Sequence, residues 1–339
     1  MKDFKISKSG YRKHKKQLLI FNTIISILLT VCVFTSGALG LVAYTISNMR
    51  HTDDDRENIG ISDEAKEPPK EIVNIALFGI DSRSTQGENL TQALSGRSDT
   101  MIILSINTII NTIKMTSILR DSWVPMLNRS GKQTYNKSIA SYSFGGAENA
   151  IRTLNTNFGL NITDYVSVNM HQMERIFDIH DGDGLEVNIP PMEMRRINEL
   201  SDNNEGFNSE PLTHSGWVKL NPTQAVCYSR IRDDSEETRV LRQQKILGLL
   251  LEKAKQLSPA DYPGVLNKLL AYVETSMSFD DIFQFSPLLS NSSLHLQSTS
   301  VPGKDVVAQG GVFEDTRHAW VWKYDLDEAK SYIHNWIYG

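Results

Sequence analysis

From Leu18 to Ile46 the chain carries no charged residue and is dominated by Leu, Ile, Val, Phe and Ala. That run exceeds the ~20 apolar residues needed to cross a bilayer core, so the sequence predicts a transmembrane helix over 18–46. The residues before it are strongly basic, with Lys2, Lys5, Lys8, Arg12, Lys13, Lys15 and Lys16 set against Asp3 alone. By the positive-inside rule, 1–17 is a cytoplasmic tail and everything after about Ser47 is extracytoplasmic. A cleaved signal peptide is the competing reading. Against it, the apolar run is long for a signal core and no clear small-residue cleavage site precedes Arg50. The formal charge of −5 hides this asymmetry, because the chain beyond the tail is distinctly acidic. A nucleic-acid partner is therefore disfavoured, since binding a phosphate backbone needs a broad cationic surface. Cys32 and Cys227 make neither a disulfide framework nor a metal cluster.

Residues 47–70 are charged, poor in apolar side chains and closed by Pro68-Pro69, which reads as a solvated extracytoplasmic linker. One domain over 71–339 follows. It opens on Ile72–Ile80, a nearly continuous apolar strand of the kind buried on both faces, which ends in Asp81-Ser82-Arg83. Open α/β sheets bind ligands at such carboxyl ends; a solvated strand end is the plainer account of this tripeptide. The next two apolar runs, 101–106 and 112–119, predict a hairpin. An antiparallel pair places the start of one strand beside the end of the other, so Arg97 and Asp99 are expected near Arg120 and Asp121.

Downstream, the pattern predicts a helix over 147–154, a strand over 165–170, a helix over 172–179 and a strand over 185–189. Asp181-Gly182-Asp183-Gly184 reads as a turn, because the remaining spacing of a calcium loop is missing. The stretch 190–216 is polar and irregular, a surface excursion or lid. Alternation over Ala225–Arg232 predicts a strand that projects Arg230 and Arg232 from one face. A helix capped by Asp234 or Ser235 follows, with Glu236 and Glu237 in its first turn needing no functional explanation. Arg239, Arg242 and Gln243 share one face of it, and Val240, Leu247, Leu250, Leu251 and Ala254 form its apolar stripe. Surface salt bridging is the plain account of these arginines. Against it, Arg230 and Arg232 converge on the same junction. A polar stretch over 291–300, a turn at Val301-Pro302-Gly303, a strand at Trp320–Trp322 and a helix over 327–337 close the chain.

Arginines clamp phosphate oxygens bidentately, and one or two aspartates with substrate phosphates make the usual magnesium site. Together they describe a pyrophosphate or phosphodiester site. Phosphoryl transfer needs positioning and charge neutralisation more than covalent help from the protein, so the lack of a Ser-His-Asp or Cys-His signature is no objection. No Gly-x-x-x-x-Gly-Lys-Ser/Thr loop, His-Glu-x-x-His motif or cysteine cluster is present, which disfavours a nucleoside-triphosphate enzyme and a zinc hydrolase.

Five segments carry a resemblance: Asn74–Arg83, Arg97-Ser98-Asp99-Thr100-Met101, Ser117–Ser122, Tyr228-Ser229-Arg230-Ile231-Arg232 and Arg239–Gln244. In order and spacing they resemble the LytR-CpsA-Psr family, over roughly 74–254, with the membrane anchor and the C-terminal tail fitting that layout. The resemblance implies an α/β fold, a three-layer α/β/α sandwich with a central mixed sheet behind one N-terminal transmembrane helix. It implies an anchored extracytoplasmic phosphotransferase that moves a wall teichoic acid or capsular polysaccharide type glycopolymer from a polyprenyl-pyrophosphate carrier to peptidoglycan, with Mg2+ as cofactor. It further implies Asp81 and Asp99 as metal ligands. Arg83, Arg97, Arg230, Arg232, Arg239 and Gln243 fall to the pyrophosphate, and Arg120, Asp121 and Arg242 to the chemistry. The lipid is expected in an apolar groove of the sandwich. The chain departs from the family pattern at Leu119 for Pro, Ile139 for Asn, Pro222 for Gly and over His180–Gly184. A polyprenyl-pyrophosphate hydrolase and a non-enzymatic lipid-binding sensor or attenuator remain alternatives.

Overall fold

The computed structural model describes residues 59–62, 65, 69, 71–81, 97–178, 184–202, 207–232, 235–289, 291 and 293–339. The expected tail 1–17, the expected span 18–46, most of the linker 47–70, Arg83 and the turn residues 181–183 lie outside them. Among the described residues no helix is long and apolar enough to cross a membrane.

In chain order the elements are β1 (Ile72–Asp81), β2 (Arg97–Asn107), β3 (Thr112–Ile118), β4 (Trp123–Leu127), β5 (Gln133–Lys137), α1 (Ala140–Phe158), β6 (Asp164–Asn169), α2 (Met170–Asp178), β7 (Leu185–Ile189), α3 (Pro191–Ser201), β8 (Gly216–Leu220), α4 (Pro222–Ser229) and α5 (Glu236–Lys255). There follow α6 (Tyr262–Leu270), β9 (Glu274–Thr275), α7 (Phe279–Phe283), α8 (Ser286–Leu289), β10 (His295–Val301), β11 (Ala308–Val312), β12 (Trp320–Tyr324) and α9 (Leu326–Tyr338). The central sheet has six strands in the order β10-β3-β2-β1-β6-β9. It is mixed: β1 runs antiparallel to β2 and parallel to β6, and β10 runs parallel to β3.

Strand alternation sorts the two faces of this sheet. Ala76, Phe78 and Ile80 of β1, with Met101 and Ile103 of β2, pack against α1 and α9. Val73, Ile75 and Leu77 face the other way, toward residues of α5, α7 and α8. A separate apolar cluster joins the antiparallel pair β7–β8 to α2, α3, α4 and Ile246 of α5. The expected hairpin is β2–β3, and the expected buried strand is β1.

Three expectations are corrected. Residues 225–232 are not a strand: Pro222–Ser229 is helical, because Asn221 and Gln224 form a reciprocal capping box with Pro222 in the first turn. The stretch 190–216 is not irregular throughout, since Pro191 opens α3, which runs to Ser201. The polar stretch 291–300 contributes a sheet strand, β10, whose main chain pairs with all of β3. Its alternation is masked because its outward side chains are polar and its inward ones only partly apolar.

The start of β6 is fixed by Asn155 of α1, which is fully buried. Its amide donates to the carbonyls of Ile59 and Ile162 at 2.9 Å each and its carbonyl accepts from Ile162 N–H at 2.9 Å. Asn155→Ala strands three main-chain groups. Thermal unfolding is expected to show a loss of about 3 kcal/mol, roughly 6–12 °C in melting temperature. A shift under about 2 °C would show that the contacts are made by water instead.

Candidate functional site

The register of β1 against β2 slips at one point. Gly79 pairs with Thr100 but Ile80 pairs with Ser98, so Asp99 is the extra residue of a β-bulge. Bulges re-aim side chains at sheet ends, and this one points a nearly buried carboxylate at the loop after β3. Asp99 Oδ2 accepts from Arg232, and Oδ1 lies 3.5 Å from Arg120. Its carbonyl accepts from Arg239 at 3.3 Å. Asp99, Arg120, Arg232 and Arg239 therefore meet as the sequence predicts, although Arg232 arrives from a loop rather than a strand.

The Arg120-Asp121 loop is braced on several sides. Ser138 Oγ donates to the carbonyls of Leu119 and Arg120 at 3.0 and 3.2 Å, and Trp322 N–H donates to the Asp121 carbonyl at 2.9 Å. Asp121 faces Arg120 at 3.4 Å and Lys137 at 2.6 Å. Lys137 and Ser138 were not legible as site residues, since nothing in their local pattern marks them; only the β4–β5 hairpin brings them there.

Behind this front, Arg242 is buried, donating to Glu193 of α3 at 2.7 Å and to the Ile231 carbonyl at 3.3 Å. It thus holds the 230–232 turn. Gln243 reaches the Ser229 carbonyl at 3.5 Å. Arg230 lies over the Phe207 ring at 5.2 Å, and that ring stacks on His171. Asp81 is exposed at the end of β1, paired in register with Arg97, whose side chain is outside the described residues.

Glu236, expected to be a simple first-turn charge, is a counter-ion in this cluster, pairing with buried Arg239. Burial raises its pKa, against the attraction of Arg239 and Arg120. Burial likewise lowers the pKa of Arg239, and Arg232 and Arg120 push the same way. The cluster is short of negative charge for its cations, which is the electrostatic condition of an anion site.

An apolar cavity of about 210 Å³ adjoins it, between the sheet and helices α2 and α5. Leu77, Val166, Val168 and Leu247 are among its walls. Gly79 and Thr100, which flank the bulge, and Ser229 and Gln243, beside the arginines, close its polar end. Sheet, cavity and charges form one amphiphilic site.

A family model matches residues 41–330. The chain belongs to the LytR_cpsA_psr family. It is 27% identical over 285 residues to a protein named polyisoprenyl-teichoic acid–peptidoglycan teichoic acid transferase TagU from Bacillus mycoides, covering 83% of this chain and 82% of that one. It is 25% identical over 312 residues to TagT of Bacillus subtilis, covering 89% and 92%. The fold is shared with the solved structure of YwtF (TagT) with bound octaprenyl pyrophosphate lipid, at a TM-score of 0.58 and 19% identity, over 81% of this chain and 95% of that one.

The raised Glu236 pKa has a defined sign. The folded state favours its protonated form, so the stability it contributes is present below the ordinary value of 4.5 and lost as pH rises through the raised pKa. Melting temperatures of wild type and Glu236→Gln at pH 4.5 and 7 are expected to diverge, with the variant gaining relative to wild type at pH 7. A gap independent of pH would contradict the desolvated carboxylate.

Proposed function

We propose that this protein is a membrane-anchored extracytoplasmic phosphotransferase that moves a glycopolymer from a polyprenyl-pyrophosphate carrier to peptidoglycan. The observation that carries the reading is the joining of an arginine cluster to an apolar cavity. An anionic head held by Arg120, Arg232 and Arg239, with a hydrocarbon tail beside Leu77 and Val168, is what such a site accommodates. The teichoic acid transferases among its relatives, and the octaprenyl pyrophosphate in a protein of the same fold, support it. The uncharged run 18–46 behind a basic tail supports the anchor and the orientation.

In this reading the acceptor hydroxyl oxygen bonds to the glycan-side phosphorus, the P–O bond to polyprenyl phosphate breaks, polyprenyl phosphate leaves with the bonding electron pair, and the hydroxyl proton passes to solvent. Arg120 and Arg232, the more exposed guanidiniums, neutralise charge on the phosphates. Arg239 and Arg242 hold the front from behind, with Arg230 and Gln243 bordering the head group; Arg83 and Arg97 are assigned to the pyrophosphate by the family resemblance alone. Asp121, between Arg120 and Lys137, orients Arg120.

Magnesium fits the donor set in one form. Among the described residues no group of three His, Cys, Asp or Glu side chains is placed to hold a metal, so a dedicated protein cage is unsupported. Asp81 and Asp99, on paired strand ends, are the carboxylates that would hold Mg2+ with substrate phosphates completing its shell. The ion would supply further neutralisation of phosphate charge.

The test follows release of polyprenyl monophosphate by the full chain in detergent micelles, given a polyprenyl-pyrophosphate glycan, Mg2+ and peptidoglycan fragments. Arg120→Ala and Asp99→Asn are expected to lower release by about 10²–10³-fold while the melting transition stays cooperative. Release that needs no acceptor would replace transfer with hydrolysis. Tight lipid binding without release would replace it with a sensor.

A further inference from the structure

Helix α5 has two working faces. Gln243, Ile246, Leu247 and Leu250 line the apolar cavity, and Arg239 joins the arginine cluster. About 140° around the helix, Glu237, Leu241 and Gln244 line a second, larger concavity, a cleft of about 450 Å³. Its far wall is built by the end of β10, the turn after it and β12, through Ser298, Ser300, Lys304 and Trp322. Of these residues Trp322 alone touches the site described above, through its main chain, so the cleft borders that site. The main-chain N–H of Trp322 donates to the Asp121 carbonyl at 2.9 Å, and Glu237 follows Glu236, the counter-ion of Arg239. The helix is thus a partition, with the lipid cavity on one flank and the polar cleft on the other.

The cleft has the chemistry of a sugar site. An indole and an exposed leucine, Leu241, provide apolar surface. Serine hydroxyls, a carboxylate and an ammonium supply donors and acceptors of both kinds. A pyranose ring has the same division, with apolar C–H faces and a rim of hydroxyls. The indole surface also extends outward. Trp322 lies edge to face with Trp320 at 5.0 Å, and Trp320 is 43% exposed. Both indoles reach across the opposite strand over Gly310. A Cβ there would come within 2.8 Å of each ring, so a glycine is needed for this arrangement. Paired tryptophans usually mark packing, but a half-buried indole lining a polar cleft, with a second, exposed indole beside it, has surface to offer a ligand.

We propose that this cleft binds the acceptor glycan, an N-acetylated hexosamine strand, and presents its hydroxyl across Asp121 to the pyrophosphate. Lys304 and Glu237 take the charged and hydroxyl substituents, and Trp322 takes a ring face. The inference rests on the transfer reading for the word acceptor, since the glycan of the donor has the same chemistry. The separation of the cleft from the lipid cavity by α5 favours the acceptor.

The experiment uses the full chain in detergent micelles and two variants, Trp322→Leu and the pair Glu237→Gln with Lys304→Gln. Calorimetric titration with a tetrasaccharide peptidoglycan fragment, without donor or magnesium, is expected to show affinity weakened by about tenfold or more in each variant. Affinity for polyprenyl pyrophosphate is expected to hold within about twofold of wild type. The charge pair, with Lys304 exposed and Glu237 half-buried, serves if the tryptophan variant fails to fold. In turnover, KM for the acceptor rises while KM for the donor glycan does not. Unchanged fragment affinity overturns the proposal, as does a rise confined to the donor. Fragment binding that depends on the cleft in a protein without transferase turnover would leave this site standing and remove the transfer reading. Turnover with an unaltered acceptor KM in both variants would do the reverse.

Discussion

The Asp99 carboxylate is the contact on which the rest of the site depends. It is nearly buried, it is aimed by a bulge, and it gathers guanidiniums from two separate segments, Arg120 after β3 and Arg232 before α5. A buried carboxylate is tolerated only with such partners. These partners, with Arg239 and Lys137, make four cations against the three carboxylates Asp99, Asp121 and Glu236. What remains is an excess of fixed positive charge at the end of a sheet, preorganised before any ligand arrives.

Helix α5 joins that charge to the apolar cavity. Its first turns carry Glu236, Arg239 and Arg242 into the cluster, and its later turns carry Ile246, Leu247 and Leu250 along the apolar cavity. The helix is held in register from the sheet side by Gln244, whose amide donates to Ser117 Oγ at 2.9 Å and to the Thr299 carbonyl at 2.8 Å. In the proposed reading a charged head and a hydrocarbon tail are set against one element.

The parts visible in the sequence were those with short-range signals. The run Ile72–Ile80, the β2–β3 hairpin and a cap at Asp234 or Ser235, which the structure assigns to Ser235, each follow from local pattern, and the hairpin brought Asp99 to Arg120. The parts that were hidden depend on distant partners or on competing local signals. Alternation over 225–232 looked like a strand, but Asn221, Pro222 and Gln224 nucleate a helix one turn earlier, and capping outweighed pattern. Lys137 and Glu193 look like surface charges in sequence, and tertiary contacts with Asp121 and Arg242 give them their roles; Glu236 joins the cluster because its neighbour on the same helix, Arg239, is buried. The family-level departure at Pro222 is explained by its place at the start of α4. Strand β10 was missed because it contributes main-chain pairing, which no side-chain pattern reports.

The central claim is that one ligand spans the arginine cluster and the apolar cavity. A crystal structure of the chain with a polyprenyl pyrophosphate tests it most directly. The account predicts phosphate oxygens within hydrogen-bond distance of Arg120 and Arg232 and the isoprenoid chain running between Leu77 and Leu247. A lipid bound elsewhere, or phosphates in the cluster with the tail lying outside the cavity, would contradict it.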